Sequence, residues 1–143
     1  VKEGMTVLDI GCGPGFFSAV LSRLAETVIG LEDAQGRLAA KAGERLSKIG
    51  ADNAVIVEGA LAEGVPGQGP FDVIIVNGAV AQAPKAWLDQ LADDGRLAVI
   101  ERDGAVGRAK IYIKVDGRVS ERTVFDAAPP FLPGFEPERG FVF

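Results

Sequence analysis

TVLDIGCGPGFFSAVLSRLAETVIGLED, residues 6–33, reads as buried strand, glycine turn, amphipathic helix, second buried strand and acidic end. Val7, Leu8 and Ile10 make the short apolar run that a parallel strand covered on both faces requires. Gly11, Gly13 and Gly15 punctuate the turn, with Pro14 between the last two. Without Cβ atoms the backbone there admits another backbone, or a ligand, at closer range. Phe16, Phe17, Val20, Leu21 and Leu24 follow at i, i+1, i+4, i+5 and i+8, one face of a helix. Val28, Ile29 and Leu31 supply the next strand, which ends on Glu32-Asp33. An acid at the tip of the second strand is where a doubly wound nucleotide fold grips a ribose. The stretch is therefore read as a nucleoside-binding βαβ unit, against the plainer alternative of a tight strand-to-helix turn with no ligand.

Spacing bears on which nucleoside. A dinucleotide fingerprint is G-x-G-x-x-G, with the helix N-terminus meeting a pyrophosphate. Here the third glycine comes one residue early and Phe16 holds its place. The D-I-G-C-G-P-G turn running into aromatic residues resembles motif I of the Rossmann-like, S-adenosylmethionine-dependent methyltransferases.

The 143 residues suit one domain with a sizeable core. Apolar content of 48% and charged content of 24% are those of a soluble globular chain. A net charge of −5, with no Lys/Arg cluster, argues against a nucleic-acid partner. One cysteine excludes an internal disulfide. Neither a signal peptide nor a long apolar span is visible, so the expectation is a cytoplasmic protein without a membrane partner. The chain has no histidine, which removes the commonest general base and metal ligand, and no metal site is expected. It opens at Val1 with strand one close behind, which reads as a chain lacking a leading segment.

Further along, Asp33 is read as the N-cap of a helix over residues 34–49, with Leu38, Ala42, Leu46 and Ile49 inward. Arg37, Lys41, Glu44 and Lys48 form its solvated side, and Gly50 is the stop. Residues 53–58 (NAVIVE) read as strand three, followed by Gly59-Ala60-Leu61 at its carboxyl end. A loop rich in glycine and proline, 63–70, leads to strand four, 71–77 (FDVIIVN). Pro84 opens a helix with Trp87, Leu88 and Leu91 on its apolar side, Trp87 being read as a packing residue. Asp94-Gly95 marks the turn into strand five, 96–101. This alternation predicts a parallel sheet with right-handed crossovers.

After Arg102 the period changes to two. Residues 108–115 and 118–125, joined by Asp116-Gly117, predict an antiparallel hairpin at the sheet edge. Prolines from Pro129 to Pro137 predict an extended connection, with 141–143 docking as a last short strand. The fold class expected is α/β, a doubly wound, mostly parallel Rossmann-like sheet with a C-terminal antiparallel hairpin.

With the order complete, the chain resembles the protein-L-isoaspartate O-methyltransferases. The likeness rests on residues 7–33, on PFDVIIVNGAV at 70–80 and on LDQLADDGRLAVIERDG at 88–104, and the two-stranded ending at 109–125 is similar as well. It implies that Asp9, Gly11, Gly13 and Gly15 surround the methionyl end of S-adenosylmethionine, with Cys12 a small filler in the same turn. Glu32 would take both ribose hydroxyls and Asp33 would lie beside the adenine. Gly59 matches the first residue of that family's Gly-Asp-Gly turn, whereas Ala60 and Leu61 depart from it; their backbone would border the ring. Asn77 is kept as a weaker candidate on the acceptor side. The family's isoaspartate-gripping segment lies ahead of strand one and is not expected in these 143 residues.

The reaction so implied is carboxyl O-methylation of L-isoaspartyl residues in a damaged protein or peptide. The acceptor is already anionic, so proximity and alignment, worth up to roughly 7–11 kcal/mol in intramolecular models, do the work without a general base. No catalytic side chain is singled out. The alternatives are a cofactor-binding relative with another acceptor or without catalysis, and a non-enzymatic interaction domain on the same scaffold.

Overall fold

The computed structural model describes residues 1–34 and 37–137. Strands β1 (Thr6–Ile10), β2 (Thr27–Glu32), β3 (Ala54–Glu58), β4 (Phe71–Val80), β5 (Leu91–Asp103), β6 (Val106–Val115) and β7 (Arg118–Asp126) form one sheet in the order β3-β2-β1-β4-β5-β6-β7. The first five run parallel; β6 pairs antiparallel with β5, and β7 antiparallel with β6. The strand order reverses at β1, which has β2 on one side and β4 on the other. In an open α/β sheet the crevice beyond the carboxyl ends at that reversal is where ligands bind.

Helices α1 (Phe16–Ser22) and α2 (Leu38–Lys48) cover one face and α3 (Lys85–Asp89) the other. The pleat explains the division. Leu8, Ile10, Ile29, Leu31, Ile74 and Leu97 join Trp87 of α3 in the larger core, while Val7 and Val28 meet Leu21 of α1. Trp87 is fully buried and its indole N–H donates to the Leu61 carbonyl at 2.8 Å. The packing role read from its spacing holds.

Several local expectations give way. Asp33 is not the N-cap of α2: the helix begins at Leu38, its N-cap is Arg37, and among the described residues no side-chain bond caps it. Its outer side is solvated as expected, and Gly50 sits beyond its end with φ of +68°. Leu38 and Ile49 are exposed, so Ala39, Ala42 and Leu46 make the buried side. In α1 only Leu21 of the apolar set turns inward; Phe16, Phe17, Val20 and Leu24 are exposed. Strand four runs on to Val80, so Asn77 does not end it. Leu91 belongs to β5 rather than to the helix, and Asp94-Gly95 is an irregularity inside that strand. Asp94 takes a φ of 63° there, and a Cβ on Gly95 would meet the Phe71 carbonyl at 2.9 Å.

The connection from Pro129 onward is a strap bound to β4. Ala79 N–H donates to the Pro130 carbonyl (2.9 Å), Leu132 N–H to Ala79 (2.8 Å) and Ala81 N–H to Phe135 (2.9 Å). Phe131 bridges Ala79 in parallel, and the Phe135 ring lies 5.4 Å from Trp87. The strand expected at 141–143 lies outside the described residues.

Candidate functional site

The site is built on the turn between β1 and α1. Its three glycines all adopt left-handed φ, and their surroundings differ. A Cβ on Gly15 would stand 2.9 Å from the Ala42 Cα, so this glycine lets α2 close on the turn. A Cβ on Gly11 would meet the Leu132 side chain at 3.0 Å. At Gly13 no atom of the described residues lies within 4 Å of where a Cβ would stand. The open cradle is therefore at Gly13, with Leu132 of the strap walling the Gly11 side.

Glu32, at the end of β2, aims its carboxylate into this turn. Oε2 accepts the Gly13 N–H at 2.7 Å and Oε1 the Asp33 N–H at 3.1 Å. Two backbone donors thus fix the carboxylate before any ligand arrives. The same contact takes up a turn N–H that a pyrophosphate would need, which disfavours a dinucleotide. Gly11 and Cys12 donate to the Leu31 carbonyl at 2.9 and 3.2 Å, tying the turn to β2.

Asp9 is fully buried beneath the turn. Ser18 Oγ donates to its Oδ2 at 2.6 Å, and Asn77 Nδ2 donates to Oδ1 and to the Ile10 carbonyl, the latter at 3.3 Å. Burial raises the Asp9 pKa, helped by the nearby Glu32 charge and opposed by the Ser18 and Asn77 hydrogen bonds. Cys12 is buried beside it, its pKa pushed up to about 12 by burial first and then by Asp9 and Glu32. A thiol so placed is an inert filler.

Gly59 lies across from Glu32 and donates to the Glu32 carbonyl at 3.0 Å. Ala60 is exposed, but the Leu61 side chain is buried and its carbonyl takes the Trp87 indole. Asp33 is exposed beside the cradle. The structure thus gathers Asp9, Gly11, Cys12, Gly13, Glu32 and Asn77 around the turn, and Gly59 and Ala60 border it at the end of β3. It gives Gly15 and Leu61 packing duties.

Residue-by-residue reading missed four neighbours. Ser18 holds Asp9. Gly30 makes room for Ser18 and Cys12, since a Cβ there would stand 3.0 Å from Oγ and 3.2 Å from Sγ. Arg45 of α2 donates to the Pro14 carbonyl (3.0 Å) and stacks on Phe16 at 3.6 Å. Leu132 is the fourth. Ser18 lay at helical spacing behind the glycines, whereas Arg45 and Leu132 come from distant segments that no local pattern connects to the turn.

The combination is a wall of fixed carboxylates beside bare backbone. It suits the hydroxyls of a ribose and a ligand carrying positive charge better than it suits a phosphate. Among the described residues no group of three or more His, Cys, Asp or Glu side chains is arranged to hold a metal ion.

The chain as a whole is similar to known proteins. A family model described as Protein-L-isoaspartate(D-aspartate) O-methyltransferase (PCMT) matches residues 1–127. Proteins named protein-L-isoaspartate O-methyltransferase are similar to it. The one from Rhizobium meliloti is 34% identical over 93% of this chain and 64% of its own. The one from Ectopseudomonas mendocina is 40% identical over 89% and 59%. A solved protein-L-isoaspartate O-methyltransferase superposes with a TM-score of 0.86 at 27% identity, over 94% of this chain and 44% of that one. The chain spans about half to two thirds of the length of these curated relatives.

Proposed function

The chain belongs to the protein-L-isoaspartate(D-aspartate) O-methyltransferase family, and from that premise we propose that residues 1–143 form one domain that binds S-adenosylmethionine at the β1–α1 turn. The observation that carries this is the Glu32 carboxylate, held by two backbone N–H groups and facing the open side of Gly13. The residues present fit the group: bare backbone at Gly13 for close approach, Glu32 for the ribose hydroxyls, and Asp9 and Asn77 beneath the methionyl end. Gly59, Ala60 and Asp33 border the adenine. When bound, the cofactor supplies an electrophilic methyl group on a sulfonium.

The reaction is methyl-ester formation on an L-isoaspartyl carboxylate of a damaged protein or peptide. That nucleophile needs no proton removed, which agrees with a chain free of histidine. The protein's task is then to hold donor and acceptor in line and exclude water. In the cell this is a repair step, and we assign it to the cytoplasm; no helix among the described residues is long and apolar enough to cross a membrane. With a net charge of −5, nucleic acid is a poor partner.

Calorimetric titration with S-adenosylhomocysteine tests the donor site. The wild type binds in the micromolar range and Glu32→Ala weakens binding by about tenfold or more; equal binding by the variant overturns the site. Full-length protein incubated with labelled donor and an isoaspartyl peptide tests the reaction, and absence of methyl ester there removes the repair activity. A second reading, donor binding with a different acceptor or none, is favoured by Ala60-Leu61, where no acidic side chain follows Gly59 and the Leu61 carbonyl already serves Trp87. Binding without ester formation selects it.

A further inference from the structure

The chain has two asparagines, Asn53 and Asn77, and their settings are opposite. Asn53 precedes Ala54, whose N–H donates to the Ala51 carbonyl (3.3 Å) and whose residue pairs with Val28. The Asn53 amide is itself held by Ser22 O at 2.7 Å and Ala25 O at 3.1 Å. Asn77 is exposed and precedes Gly78. Pairing of β4 with β1 stops at Val76, and opposite β5 the register breaks between Ile75 and Ala79. Residues 77 and 78 therefore lie outside both ladders. Gly78 has φ of 145° and no Cβ between its nitrogen and the Asn77 side chain; the Leu132 side chain of the strap packs on the side where a Cβ would stand, 2.8 Å from that position. The hydrogen bonds from Asn77 Nδ2 restrain the amide group, not the backbone nitrogen that would attack it.

We propose that the Asn77–Gly78 peptide is a site of spontaneous deamidation, which converts Asn77 to aspartate and isoaspartate and sets a carboxylate against Asp9. The Gly78 nitrogen attacks Cγ of Asn77. A C–N bond forms, the Cγ–Nδ2 bond breaks, and the amide nitrogen leaves as ammonia with the proton given up by Gly78. Water then opens the succinimide. Cleavage at Cγ gives aspartate; cleavage at the backbone carbonyl gives isoaspartate, with the chain running through Cγ. The step needs only water and mild base.

Its consequence follows from what surrounds the amide. The donor to Asp9 is replaced by a second carboxylate, in a cluster that already contains Glu32 and the Cys12 thiol. Two carboxyl groups so close cannot both ionise freely, and one holds its proton to higher pH than it would unfolded. The folded state of the product then binds more protons than the unfolded chain, so the product loses stability as pH rises.

The test is peptide mapping by mass spectrometry of the folded chain, held at physiological temperature and mildly alkaline pH beside a urea-unfolded sample. Conversion at Asn77 in the folded chain is expected within about tenfold of the unfolded rate, about 1.4 kcal/mol of protection at most. Conversion no faster at Asn77 than at Asn53 in the folded chain overturns the proposal. Asn77→Gln, which cannot close the five-membered ring, should abolish the mass gain in that peptide; persistence of the gain there also overturns it. Asn77→Asp is expected to lower Tm more at about pH 8 than at about pH 5. An equal Tm decrement at both overturns the placement against Asp9. None of these measurements uses donor or acceptor, so they stand apart from the functional reading.

Discussion

Gly13 and Gly15 lie two residues apart, both with left-handed φ, and have different tasks. An alanine at Gly13 meets open space, so its cost is the backbone strain alone, about 1–2 kcal/mol. An alanine at Gly15 adds a collision with the Ala42 backbone, and overpacking of this kind costs a further 1–3 kcal/mol or so. Urea unfolding should therefore rank Gly15→Ala as clearly the less stable, while titration with S-adenosylhomocysteine should show Gly13→Ala retaining the fold with weakened binding. The reverse ranking would mean that the cradle is misassigned. Asp9 gives a prediction with a definite sign. Its folded pKa lies above the ordinary value of 3.8, so the stability linked to its protonated form is complete below that value. It is lost as pH rises through the folded pKa. Unfolding measured across that window should show wild type losing stability relative to Asp9→Asn as pH rises. Cys12, with its pKa near 12 and little surface, should resist a thiol-alkylating reagent at about pH 8 until the chain unfolds.

At the scale of elements, strand and helix types were legible because period and punctuation agreed. The apolar runs of β1 to β4 and the two-residue period of β6 and β7 each fixed a strand, and Asp116-Gly117 fixed the hairpin. Glu32 and the glycine turn were legible for the same reason, since both sit within one local βαβ unit. What stayed hidden was set by partners distant in sequence. The strap could be read as extended from its prolines, but not as bound to Ala79, because the bonds joining it to β4 are backbone bonds that any sequence can make. The extension of β5 back to Leu91 was hidden by Asp94-Gly95, a turn signal that the sheet absorbs as an irregularity. Asp33 failed as a cap although its residue type suits one, because the helix begins further on. Trp87 ties these elements together, its ring against Phe135 and its N–H on Leu61. Trp87→Phe leaves that carbonyl without its buried donor and should cost about 1–3 kcal/mol in urea unfolding. A smaller loss would mean water readily replaces the indole.

For the whole molecule, cover is unequal on the two faces of the sheet. On the α3 face the core continues through Leu97 and Val99, with the partly buried Tyr112 and the strap packed against it. On the α1 face Val73 and Ile75 are only partly buried. The register carries that face onward through Ala98, Ile111 and Ile100 toward Phe125, which is 58% exposed. Ile75, Ala98, Ile100, Ile111 and Phe125 line a shallow hollow of about 230 Å³, and Phe16 and Val20 of α1 are exposed as well, with Leu24 just past its end. Isolated exposed apolar residues are ordinary, whereas a continuous apolar surface attracts another surface. The 143-residue chain alone should therefore bind an apolar fluorescent dye in its folded state and associate as concentration rises, even though its net charge of −5 opposes self-contact. Phe125→Lys places a charge on the rim of the hollow without touching the donor site or the buried core. It should reduce both dye binding and association while leaving Tm nearly unchanged. If dye binding persists undiminished in that variant, the hydrophobic surface it senses lies elsewhere, and the exposed side of α1 becomes the next place to substitute.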